Sequence, residues 1–409
     1  MKVLKNFIII AILIVIYIYI IAIDSIPESI VLFEGDKLEI PTIAGIKIES
    51  ENKDYQAILT TSNDINSGNE KVKLAVNLFN KFTVKTIDVD LVEETTVIPM
   101  GNVAGIKLYT NGVLVIGMSE ITDKNNIKIK PYEQSGIEEG DMIVAINKEE
   151  ISNTNELIKC VNSSNGESLE IEYIRDGKTK QCSIIPVETE KNVYKIGLWV
   201  RDSAAGVGTI TMYEPSSNSF VALGHGITDV DTESLIDISE GEIVNTNIVS
   251  IIKGEKNNPG KIQGSIVNQE TIGTIEKNTE FGIYGKITNK SYLNIDYSKQ
   301  MKVASRDKIK EGKASIVCSI DGENTKEYEI EIKKIYRNNN YNNKSMLIEV
   351  TDEELLRKTR WNNTTECLVH QLYKIINLFG AVTHVLVSSP TTGYAVFADM
   401  MLKEMKEVD

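Results

Sequence analysis

Apolar and polar positions follow three rhythms along the chain. The first is an unbroken apolar run, Phe7 to Ile23, with Lys2 and Lys5 ahead of it. A run of this length spans a bilayer as one helix. It is long for a signal peptide, and no small-x-small site precedes Asp24, so it reads as an uncleaved anchor. Lysines before the span keep the tail in the cytoplasm and export everything after Asp24. The second rhythm is alternation. From about 26 to 98, stretches such as SIVLFEGDKLEI and FTVKTIDVDLVEE predict short strands and a small β-rich domain. The third begins near residue 99, where strands are punctuated by glycines. Gly112–Gly117 reads as a strand, Ser135–Asn147 as a turn feeding a strand and an Asn-containing hairpin, and Asn153–Val161 as a helix. From 188 to 409 the chain is again rich in strands and glycine.

Composition removes several function classes. The 409 residues carry a formal net charge of −14, which excludes the basic face that nucleic-acid binding requires. Cys160, Cys182, Cys318 and Cys367 include no C-x-x-C pair, so neither a zinc knuckle nor a thioredoxin-like site is expected, and four scattered cysteines do not make a disulfide scaffold. No metal or organic cofactor is implied. Imidazole chemistry has three places to live: His225, His370 and His384.

Ser135-Gly136-Ile137-Glu138-Glu139-Gly140-Asp141, followed by Ile143 and Ile146-Asn147, resembles a PDZ domain of the bacterial protease-associated kind. Such domains add a peptide strand to a sheet edge and hold its terminal carboxylate on the amides of a glycine-containing loop. The resemblance puts that peptide-binding loop at Val103, Ala104, Gly105 and Ile106. A structural domain whose groove is empty, or occupied in cis, is the competing expectation.

The chemistry is concentrated after residue 188. In Leu223-Gly224-His225-Gly226-Ile227-Thr228-Asp229 a histidine stands between two glycines just beyond an apolar strand. Such a backbone can turn tightly and present an imidazole, which titrates near neutrality and suits a general base. Asp229 and Asp231 are the acidic neighbours in sequence, and His384 lies in an apolar strand as a structural or substrate-lining residue.

The segments GVGTITMYEP…FVALGHGITDVDT, GEIVNTNIVSIIKGEKNNPGKIQGSI and GAVTHVLVSSPTTGYAVFADMML resemble the SpoIVB peptidase family, membrane-anchored serine endopeptidases of endospore-forming bacteria. The resemblance implies a mainly β chain: cytoplasmic tail and transmembrane anchor at 1–25, β-rich spacer at 26–98, PDZ domain at 99–187 and a trypsin-like double β-barrel peptidase domain at 188–409. It implies His225 as catalytic base and Asp352, in Thr351-Asp352-Glu353-Glu354, as the acid that orients it. It further implies a protein substrate, self-cleavage, and residence between forespore and mother cell. There a membrane-bound regulator would be cut to trigger pro-sigma-K processing.

One motif departs. The family's nucleophile lies in Gly-Met-Ser-Gly-Ser-Pro shortly before GAVTHV, whereas residues 360–379 read RWNNTTECLVHQLYKIINLF and contain no serine. Back-translated and read two nucleotides later, Glu366–Phe379 can give MSGSPIIQNNKFI; Arg360–Thr364, read one later, can begin GGII. Small insertions that shift and then restore the frame account for the segment. The nucleophile codon would then straddle Cys367 and Leu368. Cys367 is a poor substitute, because the glycines that supply a tight turn and oxyanion donors are missing. His370 shares the segment and takes no role. A catalytically dead PDZ-containing binding protein is therefore the alternative function.

Overall fold

The computed structural model describes residues 2–33, 40, 42–50, 71–252, 261–319, 325–337, 343–359, 371–374, 377–386 and 389–408. The N-terminal run forms a single helix, α1 (Lys2–Asp24), whose apolar side chains are exposed on every side along most of its length. Residues Lys5–Asp24 are long and apolar enough to cross a membrane, with a mean hydropathy of 3.0.

The expected spacer is a four-stranded sheet in the order β1 (Ser29–Phe33), β4 (Phe82–Val92), β3 (Lys71–Leu78), β2 (Ile46–Ser50). β1 runs parallel to β4 and the other neighbours are antiparallel. Alternation in the sequence becomes a buried face of Leu74, Val76, Ile87 and Val89.

β5 (Thr96–Met118) leads into the PDZ region, built from β6 (Ile121–Thr122), β7 (Lys128–Ile129), β8 (Met142–Ile146), β9 (Glu149–Glu150), α2 (Thr154–Ser163), β10 (Leu169–Arg175) and β11 (Lys178–Ile184). The motif residues have identifiable tasks. Gly140 sits at φ +93, where a side chain would be strained. Asp141 is buried and takes a two-pronged ion pair from Arg175, Nε and Nη2 each at 2.6 Å, while accepting the Glu138 amide at 2.8 Å. Asn147 and Lys148, at φ 52 and 70, make the primed turn between β8 and β9. Asn153 caps α2 by accepting from the Glu156 amide at 3.0 Å, and the Glu156 carboxylate reaches back to the Ser152 amide.

After the small hairpin β12 (Val187–Glu190) and β13 (Val193–Lys195), the chain enters β14 (Leu198–Tyr213), β15 (Ser219–Ala222), β16 (Ile238–Ile252), β17 (Lys261–Thr279) and β18 (Gly282–Ile287). Their pairings close a ring. β5 pairs with β14, β14 with β15, β15 with β18, β18 with β17, β17 with β16, and β16 returns to β5, all antiparallel. Ile98, Ile106, Leu108, Ile210, Phe220 and Ile243 fill it. The ring is incomplete without residues 96–110 of β5. The expected boundaries of 99–187 and 188–409 thus divide a strand from its ring: the PDZ region is inserted between two neighbouring strands, β5 and β14.

Following β19 (Met301–Val303), a second ring forms from β20 (Gly312–Ser319), β21 (Thr325–Ile335), β22 (Met346–Val350), β23 (Gln371–Lys374), β24 (Asn377–Leu386) and β25 (Ser389–Phe397), with α3 (Glu353–Thr359) between β22 and β23. The circuit runs β20–β21–β22–β25–β24–β23 and back to β20, again antiparallel throughout. Two six-stranded rings fit the expected double barrel. The terminal helix α4 (Ala398–Lys406) buries Met401, Leu402 and Met405 against Met212, Val221 and Tyr284 of ring one, Ala381 and Val396 of ring two, and Val31 and Phe33 of the spacer. Asp399 in its first turn is buried with Arg306, Nε at 2.9 Å, and Arg306 also donates to the Ser29 carbonyl at 3.4 Å. The carboxylate also faces the positive helix end.

Candidate active site

The histidine segment leaves β15 through Leu223, whose φ of 64 makes it the left-handed residue of the turn. Its position is held by Leu223 N donating to the Thr209 carbonyl at 3.0 Å and Thr211 Oγ1 donating to the Leu223 carbonyl at 2.7 Å. The flanking glycines serve close approach instead of the tight turn expected from the sequence. A Cβ on Gly224 would lie 3.1 Å from the Val382 carbonyl of β24, and one on Gly226 would lie 2.4 Å from the Thr279 carbonyl. Gly224 therefore stands at the seam where ring one touches ring two, while Gly226 packs within ring one.

His225 is half-buried at that seam. Its Nδ1 lies 2.9 Å from the Gly226 carbonyl. A carbonyl only accepts, so the proton sits on Nδ1 and Nε2 carries the lone pair, the tautomer a general base needs. Burial lowers the imidazole's pKa, opposed by the Gly226 carbonyl, so at neutral pH the ring is neutral. The ring of His384, from β24, stands 6.1 Å away between centroids and tilted by 42°. His384 Nδ1 lies 2.9 Å from Thr383 Oγ1, and that hydroxyl is within reach of the Asn343 and Tyr394 carbonyls at 3.2 and 3.3 Å. The one hydroxyl proton of Thr383 serves either a carbonyl or the imidazole, so the His384 tautomer is set by which of them takes it. Desolvation, followed by the positive charges of His225 and Lys344, lowers its pKa. This imidazole pair was not legible in the sequence, where the two histidines are far apart; alternation puts His384 on the face of Val382, which fills ring two, and a register shift between the two residues turns His384 outward.

The remaining candidates are placed elsewhere. Asp352 caps α3, accepting from the Leu355 amide at 2.9 Å, while its own amide donates to the Glu329 carbonyl at 3.1 Å. Among the described residues no hydrogen bond or ion pair joins Asp352 to His225. Asp229 accepts the Asp231 and Thr232 amides at 3.0 Å each and pairs with Arg201, which also binds Asp231 at 2.8 Å. Both carboxylates thus shape the turn after His225. Cys367, Leu368 and His370 lie outside the described residues. Among the described residues no group of three or more His, Cys, Asp or Glu side chains converges to hold a metal ion.

The expected peptide-binding loop needs correction. Val103–Ile106 is the middle of β5, not a loop. On one side it pairs with Gly206–Thr209 of β14, and on the other Gly105 and Ile106 pair with Val244 and Ile243 of β16. Both edges are taken by the chain itself, and a Cβ on Gly105 would meet Thr246 Oγ1 at 2.4 Å. The segment from Ile106 to Tyr109 meets Gly206 to Ser203 of β14 antiparallel, as an added peptide strand would run.

One family match agrees with this division. A PDZ domain family matches residues 109–185, starting after the corrected loop. Proteins named as zinc metalloproteases in Staphylococcus aureus strains COL and N315 are 31% and 30% identical over 88 residues, 22% of this chain; the chain spans about a fifth (19%) of their length. The crystal structure of the PDZ domain of the SdrC-like protein from Listeria monocytogenes is 23% identical, covering 22% of this chain and 87% of that one at a TM-score of 0.18. The family described as SpoIVB peptidase S55 matches residues 192–402, just over half of the sequence, and it is to this peptidase family that the chain belongs.

Proposed function

We propose that the protein is a membrane-anchored serine endopeptidase of endospore formation, exported into the space between forespore and mother cell. There it would cut a membrane-bound regulator and so trigger pro-sigma-K processing, with self-cleavage as a second reaction. The observation that carries the peptidase reading is His225, held at the seam of the two rings with Nδ1 on a carbonyl and Nε2 bare. Asp352 remains the proposed acid, reaching the imidazole only if α3 shifts from the geometry described above. The nucleophile would be the serine of a restored Gly-Met-Ser-Gly-Ser-Pro, encoded across the codons of Cys367 and Leu368.

One observation favours a second reading, a PDZ-containing protein without catalysis: residues 360–379 contain no serine. Resequencing codons 355 to 385 separates the two. If the frame closes, the purified protein should hydrolyse peptides, and His225→Ala should remove activity by about four to six orders of magnitude. If RWNNTTECLVHQLYKIINLF stands, no peptidase activity should be measurable and the binding reading holds.

A further inference from the structure

The turn joining β3 to β4 carries more apolar surface than the fold requires. Phe79 and Asn80 form it at φ 53 and 55, a conformation a phenylalanine rarely adopts, and Phe79 N donates to the Gly45 carbonyl at 2.6 Å. Phe79, Phe82 and Val84 remain 59%, 64% and 40% exposed, with Lys81 between them. Packing of Phe79 over Gly45 accounts for that residue alone. Phe82 pairs with Leu78 and Val84 sits at the register shift of β4, so both lie at the open end of the sheet, beyond the core that buries Ile87 and Val89.

The position of this tip is fixed by α1. Tyr19, Ala22 and Ile23 pack against the spacer core, Tyr19 donates its hydroxyl to the Ala44 carbonyl at 2.6 Å, and the Tyr19 and Phe79 rings stand 5.7 Å apart. At about 1.5 Å of rise per residue, the apolar helix is about 30 Å long, enough for a hydrocarbon core. Tyr19 then lies about 7.5 Å below Asp24, within the interfacial zone that aromatic residues favour. Phe79, in contact with Tyr19, lies at that depth too.

We infer that the β3–β4 tip, Phe79 to Val84, is a membrane-docking element whose occupant is the outer leaflet of the bilayer that α1 spans. It immerses Phe79 and Phe82 about 5–10 Å below the headgroup surface, with Lys81 at the lipid phosphates. A single flexible helix end would let the exported domains tumble. Helix and tip together give two attachments and fix the spacer's tilt, and through α4 the height of the rings, above the membrane. This inference rests on the membrane-anchor reading.

The test uses the full chain in vesicles of phosphatidylethanolamine and phosphatidylglycerol, with plain or brominated acyl chains. Tryptophan is introduced at three exposed sites, Tyr17→Trp, Phe82→Trp and Val230→Trp, and the parent's emission is subtracted. The expected result is a blue shift and a loss of emission in brominated vesicles for Tyr17→Trp and Phe82→Trp, and neither for Val230→Trp. Quenching of Tyr17→Trp without Phe82→Trp overturns the docking element and leaves the anchor standing. Quenching of neither overturns both. A blue shift of Phe82→Trp that bromination does not quench and that grows with protein concentration assigns the tip to a second copy, and also overturns the inference.

Discussion

The two rings have the same strand number and the same antiparallel circuit, yet they are assembled differently. Ring two uses strands from Gly312 to Phe397, with each pairing separated by modest lengths of chain. Ring one starts at β5, is interrupted by the PDZ region, and resumes at β14, where Met118 pairs with Leu198. Closing that gap costs chain entropy unless something folds within it. The PDZ core does so: Val113 and Val115 from β5 and the flanking Leu198 and Val200 from β14 pack on it together. The inserted domain thus acts as the turn of a very long hairpin, and ring one inherits its stability from a module outside the ring.

That contrast can be broken first through ring two's own staple. Asp399→Ala leaves Arg306 buried without its partner, and should cost about 3–5 kcal/mol, read as a shift in the urea midpoint. A loss below about 1 kcal/mol would mean the pair is solvated and the staple is elsewhere. Asp141→Ala should cost less, about 1.5–3 kcal/mol, because Arg175 keeps some water. Its informative readout is hydrogen exchange: amides of β5, β14 and β16 should lose protection along with the PDZ strands, while ring two keeps its own. Independent protection of ring one would refute the hairpin coupling. Gly224→Ala tests the seam itself. Its methyl meets Ala381, Thr383 and the Val382 carbonyl of β24, so about 1–3 kcal/mol should be lost, with resonances changing in both rings.

How far the sequence could be read follows the same division between local and distant. The turn into Asp141, the Asn147 hairpin and the helix capped by Asn153 are specified by neighbours within a few residues, and each formed where expected, α2 extending to Ser163. Val103–Ile106 was misassigned because glycine beside apolar residues suits a loop or a crowded strand equally. What decides is β14 and β16, roughly a hundred residues away. The glycines of Gly-His-Gly suggest a tight turn in the sequence, whereas the structure uses their small size, since the crowding comes from Thr279 and β24. Asp352 illustrates the limit for charge: its capping of α3 follows from Thr-Asp-Glu-Glu, whereas any approach to His225 depends on how a helix of one ring meets a loop of the other.

The smallest effect concerns the histidine pair. His225 has its pKa lowered in the fold, below the ordinary imidazole value of about 6.5 that the unfolded chain retains. Above that value both states are neutral and His225 contributes no pH dependence. As pH falls through it, the unfolded chain takes the proton first, so stability falls until the folded pKa is reached and is flat below. His384 is lowered in the same direction and adds to the same slope. Stability should therefore decline with acid already above the range where carboxylates titrate, and His225→Gln with His384→Gln should flatten that part of the curve. In His384→Gln alone, the His225 ring signal should titrate at higher pH, because the smaller side chain admits water and relieves the burial that lowers its pKa. An unchanged midpoint would show that the Gly226 carbonyl and the walls of ring one set the proton affinity of His225 by themselves, and that the seam couples the rings through packing alone.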